Sequence, residues 1–412
     1  MGTERLYYAD SRLSEFDAVV MEVGKSDDGR TALILDRTAF YPTGGGQPSD
    51  TGTLGSARVV ECVDAEGAGV LHIMEGVEGV EGVAPEVGAS VHGRIDWPRR
   101  LDHIQQHTGQ HILSQAFVEL FGAETRSFRM LSDASEVDVD LRDPSDEKIE
   151  LAVSRASEII WDDRPVLVHN VTPEQAAQMP LRKDSAREGE LRVIEIEGFD
   201  FSPCGGTHAA RTGEVGVVAA RHWERAKGLV RVTFVAGGRA LADYRRANRT
   251  ARTVAALFSV GRDEAAEPVA RLQEENKMLQ KRLRVAEEMA ARAEAREILE
   301  EAEGGADADL KLVVRELEGR DAEGLRRLAV ALAARAGVVA LLGSRDSSGA
   351  RLVFARSTDA QGDMSALMRE ACIALGGRGG GRPDMAQGGG PRAERLAGAL
   401  ESAALHLRGE NR

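Results

Sequence analysis

The chain has 412 residues, 42% of them hydrophobic, enough for two to four globular domains with substantial cores. Its formal net charge of −14 excludes broad, purely electrostatic binding to nucleic acid, because phosphate contacts supply most sequence-independent affinity; any RNA site must be a local basic patch. No apolar run approaches the roughly twenty residues of a membrane span, and Met1-Gly2-Thr3-Glu4-Arg5 lacks the pattern of a signal peptide, so a cytoplasmic location and no membrane partner are expected.

From about residue 7 to 97 the pattern is one of short strands divided by turn chemistry. Residues 18–23, 31–35 and 59–63 are strand-like, Asp27-Asp28-Gly29 makes a hairpin turn, and a small β-barrel is the natural closure. Within this region, residues 36–52 carry the triplet Gly44-Gly45-Gly46. Three glycines allow a backbone that no side-chained residue follows and let another molecule approach the main chain, although a flexible turn is an equal reading. The three cysteines, Cys62, Cys204 and Cys372, are odd in number and widely spread, which argues against a disulfide framework. Cys62 and Cys372 sit in apolar surroundings and read as small core residues.

Residues 103–117 form the next element, a helix whose apolar positions recur at helical spacing and which sets His107 and His111 one turn apart on one face. Alone, such a pair is more often an exposed face or two core histidines. Far downstream, Cys204-Gly205-Gly206-Thr207-His208 brackets a glycine turn with a thiolate and an imidazole. Together the four make a tetrahedral nitrogen and sulfur set suited to zinc. His103 shares the helix face, and a supporting position, a substrate contact and a surface position stay equally open for it.

Residues 151–161 read as a helix, 166–171 as a strand and 192–196 as a strand that delivers the chain to Cys204. A shared metal would therefore close a loop of about a hundred residues, giving it a structural role beside a chemical one. Basic residues gather in sequence near these motifs: Arg94, Arg99, Arg100, Arg182, Lys183, Arg221, Arg225, Lys227 and Arg231. Any single one more often solvates a surface, but clustered about a cleft they would steer a phosphate backbone.

After Gly261, Val269, Leu272, Asn276, Leu279, Leu283, Ala286, Ala290 and Ala293 alternate by three and four, the spacing of a coiled coil with Asn276 at an a position. A long amphipathic helix packed on its own domain fits equally. Glu303-Gly304-Gly305-Ala306-Asp307 ends this helix. The remainder reads as an α/β domain with strands at 310–314, 338–342 and 351–355 and helices at 325–336, 364–375 and after Pro391. Residues 376–390 read as a loop that can present backbone N–H groups and the guanidiniums of Arg378 and Arg382 to a phosphate, with a flexible linker as the alternative.

The motifs resemble a known family. His107-Thr108-Gly109-Gln110-His111 and Cys204-Gly205-Gly206-Thr207-His208 look like the two zinc motifs of the alanyl-tRNA editing proteins, the AlaX family, and of the editing domain of alanyl-tRNA synthetase. Residues 36–52 resemble the family's glycine-rich motif, and 376–390 resemble the signature of the DHH-associated domain that ends the longer AlaX proteins. The expected fold is accordingly α+β and multidomain: a β-barrel domain at 1–98, an α/β zinc-containing editing domain at 99–240, a helical segment at 241–304 able to pair as a coiled coil in a homodimer, and a DHH-associated tRNA-binding α/β domain at 305–412. The resemblance implies one zinc per chain on His107, His111, Cys204 and His208, and a catalytic set of Thr38, Gly45, Gly46 and Gln47 in which Thr38 recognises serine. Arg182, Lys183, Arg378 and Arg382 are the expected tRNA contacts.

The activity implied is trans-editing, the deacylation of tRNA(Ala) mischarged with serine or glycine. A pocket for alanine rejects an added hydroxyl only weakly, and glycine is smaller still. Nothing in the chain resembles an ATP-binding aminoacylation motif. Whether zinc activates water or only orders the site stays open at this level. Many relatives carry His where Arg129 stands, which puts a catalytic role for this position in doubt. Two other classes compete: a DHH-type metal-dependent phosphoesterase, whose aspartate- and histidine-rich motifs are missing, and a catalytically silent tRNA-binding protein with a structural zinc.

Overall fold

Strand Glu15–Lys25 alternates inward and outward side chains over its first half, with Phe16, Ala18 and Val20 buried, the period that gives a sheet one apolar face. In the computed structural model, which describes residues 2–65, 67, 69–75, 85–183, 189–302 and 311–409, this strand opens a barrel. Glu15–Lys25, Thr31–Leu35, Gly69–Glu75, Ala57–Ala65, Gly52–Leu54 and Ser90–Ile95 pair antiparallel in that order, and the last returns to the first. Leu33, Leu35, Phe40, Val59, Cys62 and Met74 fill the interior. Residues are added on one side of a pair near Val20/Glu22 and Val59/Glu61, and such bulges supply the curvature that closure requires.

Helix Trp97–Phe121 starts with Pro98 in its first turn and ends at Gly122, which takes the left-handed conformation. The helix is tied to the barrel by Arg100, which is fully buried. Its Nε donates to both Asp50 oxygens at 3.1 Å and its Nη1 to the Ser11 carbonyl at 2.8 Å, while Asp50 also accepts from the Tyr41 N–H at 2.6 Å. A buried pair this well supplied with hydrogen bonds is one whose members cannot be removed singly without a large loss.

Most of Trp97–Phe121 is buried on more than one face, because sheet and helix cover it. A four-stranded antiparallel sheet runs in the order Val218–Ala226, Leu229–Ala236, Ser135–Val139, Thr125–Met130. Helix Asp146–Trp161, capped by the Ser145 hydroxyl, shares the same core. A second sheet of three strands, Val166–Val171, Leu191–Ile196 and Asp200–Pro203, carries the chain to Cys204.

The chain divides into two compact units, Met1–Ala256 and Leu257–Arg412; the first holds both the barrel and the sheets just described. In the second, helix Ala266–Ala302 packs Ala295 and Leu299 with helix Ala322–Ala333, whereas residues 271–286 are exposed on every side. The expected helix end at 303–307 lies outside the described residues, as does Leu310. A five-stranded sheet runs Lys311–Glu318, Val338–Asp346, Gly349–Arg356, Met385–Gly390, Arg378–Gly381, with the first pair parallel and the rest antiparallel. Alternate residues of Val338–Asp346 face helix Ala322–Ala333 on one side and helices Met364–Ala374 and Leu396–Arg408 on the other.

The expected glycine loop at 376–390 is corrected here: it is a strand pair joined by a short turn. A Cβ on Gly379 or Gly388 would come within 2.6 or 2.5 Å of the buried Cys372 Sγ, so the glycines let the strands press against helix Met364–Ala374. The backbone groups between these strands are engaged in the ladder rather than offered to a phosphate. Among the described residues, no helix is long and apolar enough to cross a membrane.

Candidate metal centre

His107 and His111 come from the buried middle of helix Trp97–Phe121, and Cys204 and His208 from the turn after strand Asp200–Pro203. The four bring one ligand atom each to within 4.8 Å of one another. Cys204 Sγ lies 3.4 Å from His107 Nε2 and 3.3 Å from His208 Nε2. A tetrahedral zinc with bonds near 2.3 Å to sulfur and 2.0–2.1 Å to nitrogen sets that edge at about 3.5 Å, so the donor set fits the ion in identity and spacing. Gly206 is required by this convergence, because a Cβ there would lie 2.1 Å from His107 Cε1.

Each imidazole is turned by a hydrogen bond on its far nitrogen. His107 Nδ1 donates to Gln47 Oε1 at 2.7 Å, and the amide orientation is fixed in turn, since Thr207 N–H donates to the same oxygen and Gln47 Nε2 donates to Thr207 Oγ1. His111 Nδ1 donates to Asp200 at 3.2 Å, and His208 Nδ1 meets Thr108 Oγ1 at 3.3 Å. The nitrogens left over are those that face the centre, an arrangement that raises ligand basicity and fixes the tautomer. Asp200 is itself held by Arg182 Nε at 2.8 Å and by the Ser202 hydroxyl.

Electrostatics agree with the geometry. Burial alone would push the Cys204 thiol up, but its contact with His107 outweighs burial and holds the thiol well below its ordinary range; the Gly206 N–H also points at the sulfur. Burial lowers His208 to about 3, which keeps its ring neutral and its lone pair available. Burial opposes ionisation of Asp200, yet Arg182 and His111 hold it below the usual carboxylate range.

His107, His111 and Cys204 line a cleft of about 790 Å³. Gly44, Gly45 and Lys183 line it, as do several residues that the sequence reading did not assign: Tyr7, Tyr8, Gln110, Thr125, Ser127 and Arg192. Gln110 Nε2 and Thr125 Oγ1 both donate to Ser114 Oγ at 2.7 Å, a polar wall one turn from His107 and His111. Only the helical spacing of Gln110 could have pointed to it; strand Thr125–Met130 carries no motif.

Other expected site residues are placed differently. Thr38 does not line the cleft: its hydroxyl is buried in the barrel, 2.7 Å from His72 Nε2, and accepts from the Phe40 N–H. Gly46 sits behind the cleft at φ +82°, where a Cβ would lie 2.5 Å from the Phe128 carbonyl, and Gln47 acts on His107. Arg182 borders the cleft, but its Nε is committed to Asp200 and Ser202. Lys183 is exposed on the rim, and Arg378 and Arg382 are exposed in the other unit.

Arg100, Arg221 and Arg231 are engaged with Asp50, Asp133 and Asp138 and leave the expected basic cluster thinner than its sequence suggests. Arg129 pairs with Glu136 away from the cleft lining. His103 is buried outside the group of four, its Nδ1 without a partner among the described residues, and burial lowers it to about 4.

Comparison with known proteins bears on the same segments. The chain matches three family profiles: tRNA synthetases class II (A) over residues 6–99, the threonyl and alanyl tRNA synthetase second additional domain over 191–233, and the DHHA1 domain over 309–408. The alanine–tRNA ligase of Natronomonas pharaonis is 34% identical over 98% of this chain and 44% of its own length. The alanyl-tRNA editing protein AlaX-L of Pyrococcus horikoshii is 36% identical over 58% of this chain and 59% of its own. A solved C-Ala domain from Aquifex aeolicus alanyl-tRNA synthetase is 29% identical over 24% of this chain and 91% of that one, with a TM-score of 0.22. The chain thus spans about half the length of the curated relatives it matches. With matches to a class II synthetase model, the second additional domain and the DHHA1 domain in this order, the chain is similar both to the alanyl-tRNA editing protein AlaX-L and to alanine–tRNA ligases.

Proposed function

We propose that the chain hydrolyses the ester of tRNA(Ala) charged with the wrong amino acid, serine foremost and glycine second, acting in trans. The observation that carries this reading is the group of four metal-ligating side chains, three of which line a cleft of about 790 Å³ walled by polar and aromatic side chains. Zinc is the ion the donor set suits, and when bound it supplies either a positive anchor for the substrate or a Lewis acid.

This chain's own residues provide the rest. Gln47, Asp200 and Thr108 hold the three imidazoles in register, and the Gln110–Ser114–Thr125 wall offers hydrogen-bond partners to a serine hydroxyl that alanine cannot use. Gly45 leaves the opposite wall open to close approach of the substrate. An aminoacyl ester is an activated bond, so orientation beside an ordered water contributes much of the acceleration without a protein nucleophile. Lys183 at the rim, together with Arg378 and Arg382, would grip the tRNA backbone. The exposed stretch 271–286, with Leu272, Leu279 and Leu283 uncovered and Asn276 among them, would pair two copies of the chain.

A second reading is favoured by the ligand count: four protein donors leave no open position, the mark of a structural zinc in a silent tRNA-binding protein. Deacylation of seryl-tRNA(Ala) by purified full-length protein, with and without chelator, separates the two. Turnover that chelation abolishes supports editing; tRNA binding with no turnover supports the silent binder.

A further inference from the structure

Two polar groups of the cleft wall are buried without a hydrogen-bond partner among the described residues: the Tyr7 hydroxyl and Arg192 Nη2. Folded proteins satisfy most buried donors, so two orphans in one cleft call for an explanation. Tyr7 is fully buried, its ring held edge-on between Tyr8 and Tyr41 at centroid distances of 4.9 and 5.3 Å. Burial keeps its phenol well above the ordinary range, so the group is a donor throughout working pH.

Arg192, on strand Leu191–Ile196, is rigidly mounted. Its Nε donates to the Tyr8 carbonyl at 3.2 Å, its Nη1 to the carbonyls of Cys204 and Gly206 at 2.8 and 2.9 Å, and its guanidinium lies 5.3 Å from the Tyr8 ring centroid. Among the described residues no carboxylate pairs with it. A guanidinium with one buried, unpartnered nitrogen and no carboxylate partner among the described residues fits a site whose counter-charge arrives with the ligand.

The direction of the site follows from its mount. Because Nη1 grips the carbonyl of Cys204, the guanidinium is one residue removed from a metal-ligating sulfur. An aminoacyl ester lying over the metal ligands would have its ribose, then the phosphate of the same nucleotide, next along the wall. Both residues line one cleft, and a guanidinium and a phenol match the oxygens of that phosphate. We propose that Tyr7 and Arg192 form an anion subsite for the phosphate of the tRNA's 3′-terminal nucleotide, which sets the ester in place beside His107, His111, Cys204 and His208. This subsite rests on the editing reading, yet its test does not depend on turnover.

The probe is adenosine 5′-monophosphate against adenosine, measured by calorimetry on zinc-loaded full-length protein. The parent is expected to favour the monophosphate by about tenfold, the effect of a charge-assisted hydrogen bond. Tyr7→Phe keeps the ring and removes a hydroxyl that bonds to nothing in the described protein, so it should erase much of that preference while zinc content and thermal midpoint hold. The same variant should raise KM for seryl-tRNA(Ala) with little change in kcat. Arg192→Lys should also weaken the monophosphate, and its zinc content shows whether the Cys204 turn has survived. Equal affinity for the two nucleosides in the parent overturns the subsite, as does a Tyr7→Phe protein that loses stability but not the preference. Absence of deacylation by the parent would instead overturn the editing reading and leave a nucleotide phosphate site.

Discussion

Thr38→Val is the substitution that best separates a fold-building hydroxyl from a substrate-reading one. Valine keeps the shape of threonine inside the barrel but deletes the oxygen that donates to His72 Nε2 at 2.7 Å and accepts from the Phe40 N–H at 3.1 Å. His72 Nδ1 already donates to the Leu33 carbonyl at 3.1 Å, so its ring has no alternative orientation without losing a second bond. Both orphaned groups are buried, and each such loss costs about 1–3 kcal/mol, which gives about 2–6 kcal/mol for the pair. For the unit Met1–Ala256 that holds the barrel, this corresponds to a fall of roughly 4–11 °C in the thermal midpoint. Far-UV circular dichroism on heating measures the fall, and paired deacylation assays on seryl- and alanyl-tRNA(Ala) measure discrimination, which is expected to be unchanged. A variant with the parent's midpoint and a lost serine preference would show that the hydroxyl faces substrate, and the reasoning would be wrong.

Thr125→Val, by contrast, should lower the seryl-to-alanyl rate ratio about tenfold with zinc retained; an unchanged ratio would move serine recognition elsewhere in the cleft. Gln47→Leu frees His107 Nδ1 and is expected to weaken zinc binding about 10–100-fold in competition with a chromophoric chelator, while parental affinity would mean that packing alone orients the ring. His72 and His103 bind a proton only below about 4 in the folded chain, against an ordinary value of 6.5, because burial opposes their charge. Between those values the unfolded chain carries more protons, so stability should be level above pH 7 and decline as pH falls from 6.5 towards 4; a urea midpoint that stays constant across that window would contradict this. The proposed pairing through 271–286 predicts that Leu279→Glu shifts a dimer to a monomer in sedimentation, and a parent that already sediments as a monomer would assign this exposed stretch to a different partner.

What could be read in the sequence was what short-range spacing encodes. A helix puts residues four apart on one face, and a glycine turn folds Cys204 back on His208, so both halves of the metal group were visible as pairs. Their meeting was an inference from shared chemistry. The family resemblance links Thr38 to serine, but a motif match carries no information on which side of the barrel wall the hydroxyl occupies, and the structure turns it to His72. At 376–390, a glycine-rich run reads as a loop, whereas the glycines admit Cys372 against two strands. Thr125 and Arg192 were invisible because strands, not motifs, carry them to the cleft, and Tyr7 because neighbouring tyrosines before the barrel have no pattern to mark them; of this lining only Gln110 had a helical spacing to point to it.

The Gln47 amide also constrains how this protein can be rebuilt. It reaches from the barrel to a histidine on the central helix and to Thr207 in the cysteine turn, 160 residues away. A chimera joined near residue 98 would inherit every metal ligand and yet leave one imidazole free to rotate. Grafting a foreign barrel onto this chain would therefore succeed or fail on a single amide in the donor, whatever the quality of the seam, and a screen of such hybrids by zinc retention would sort donors by that side chain before any activity was measured.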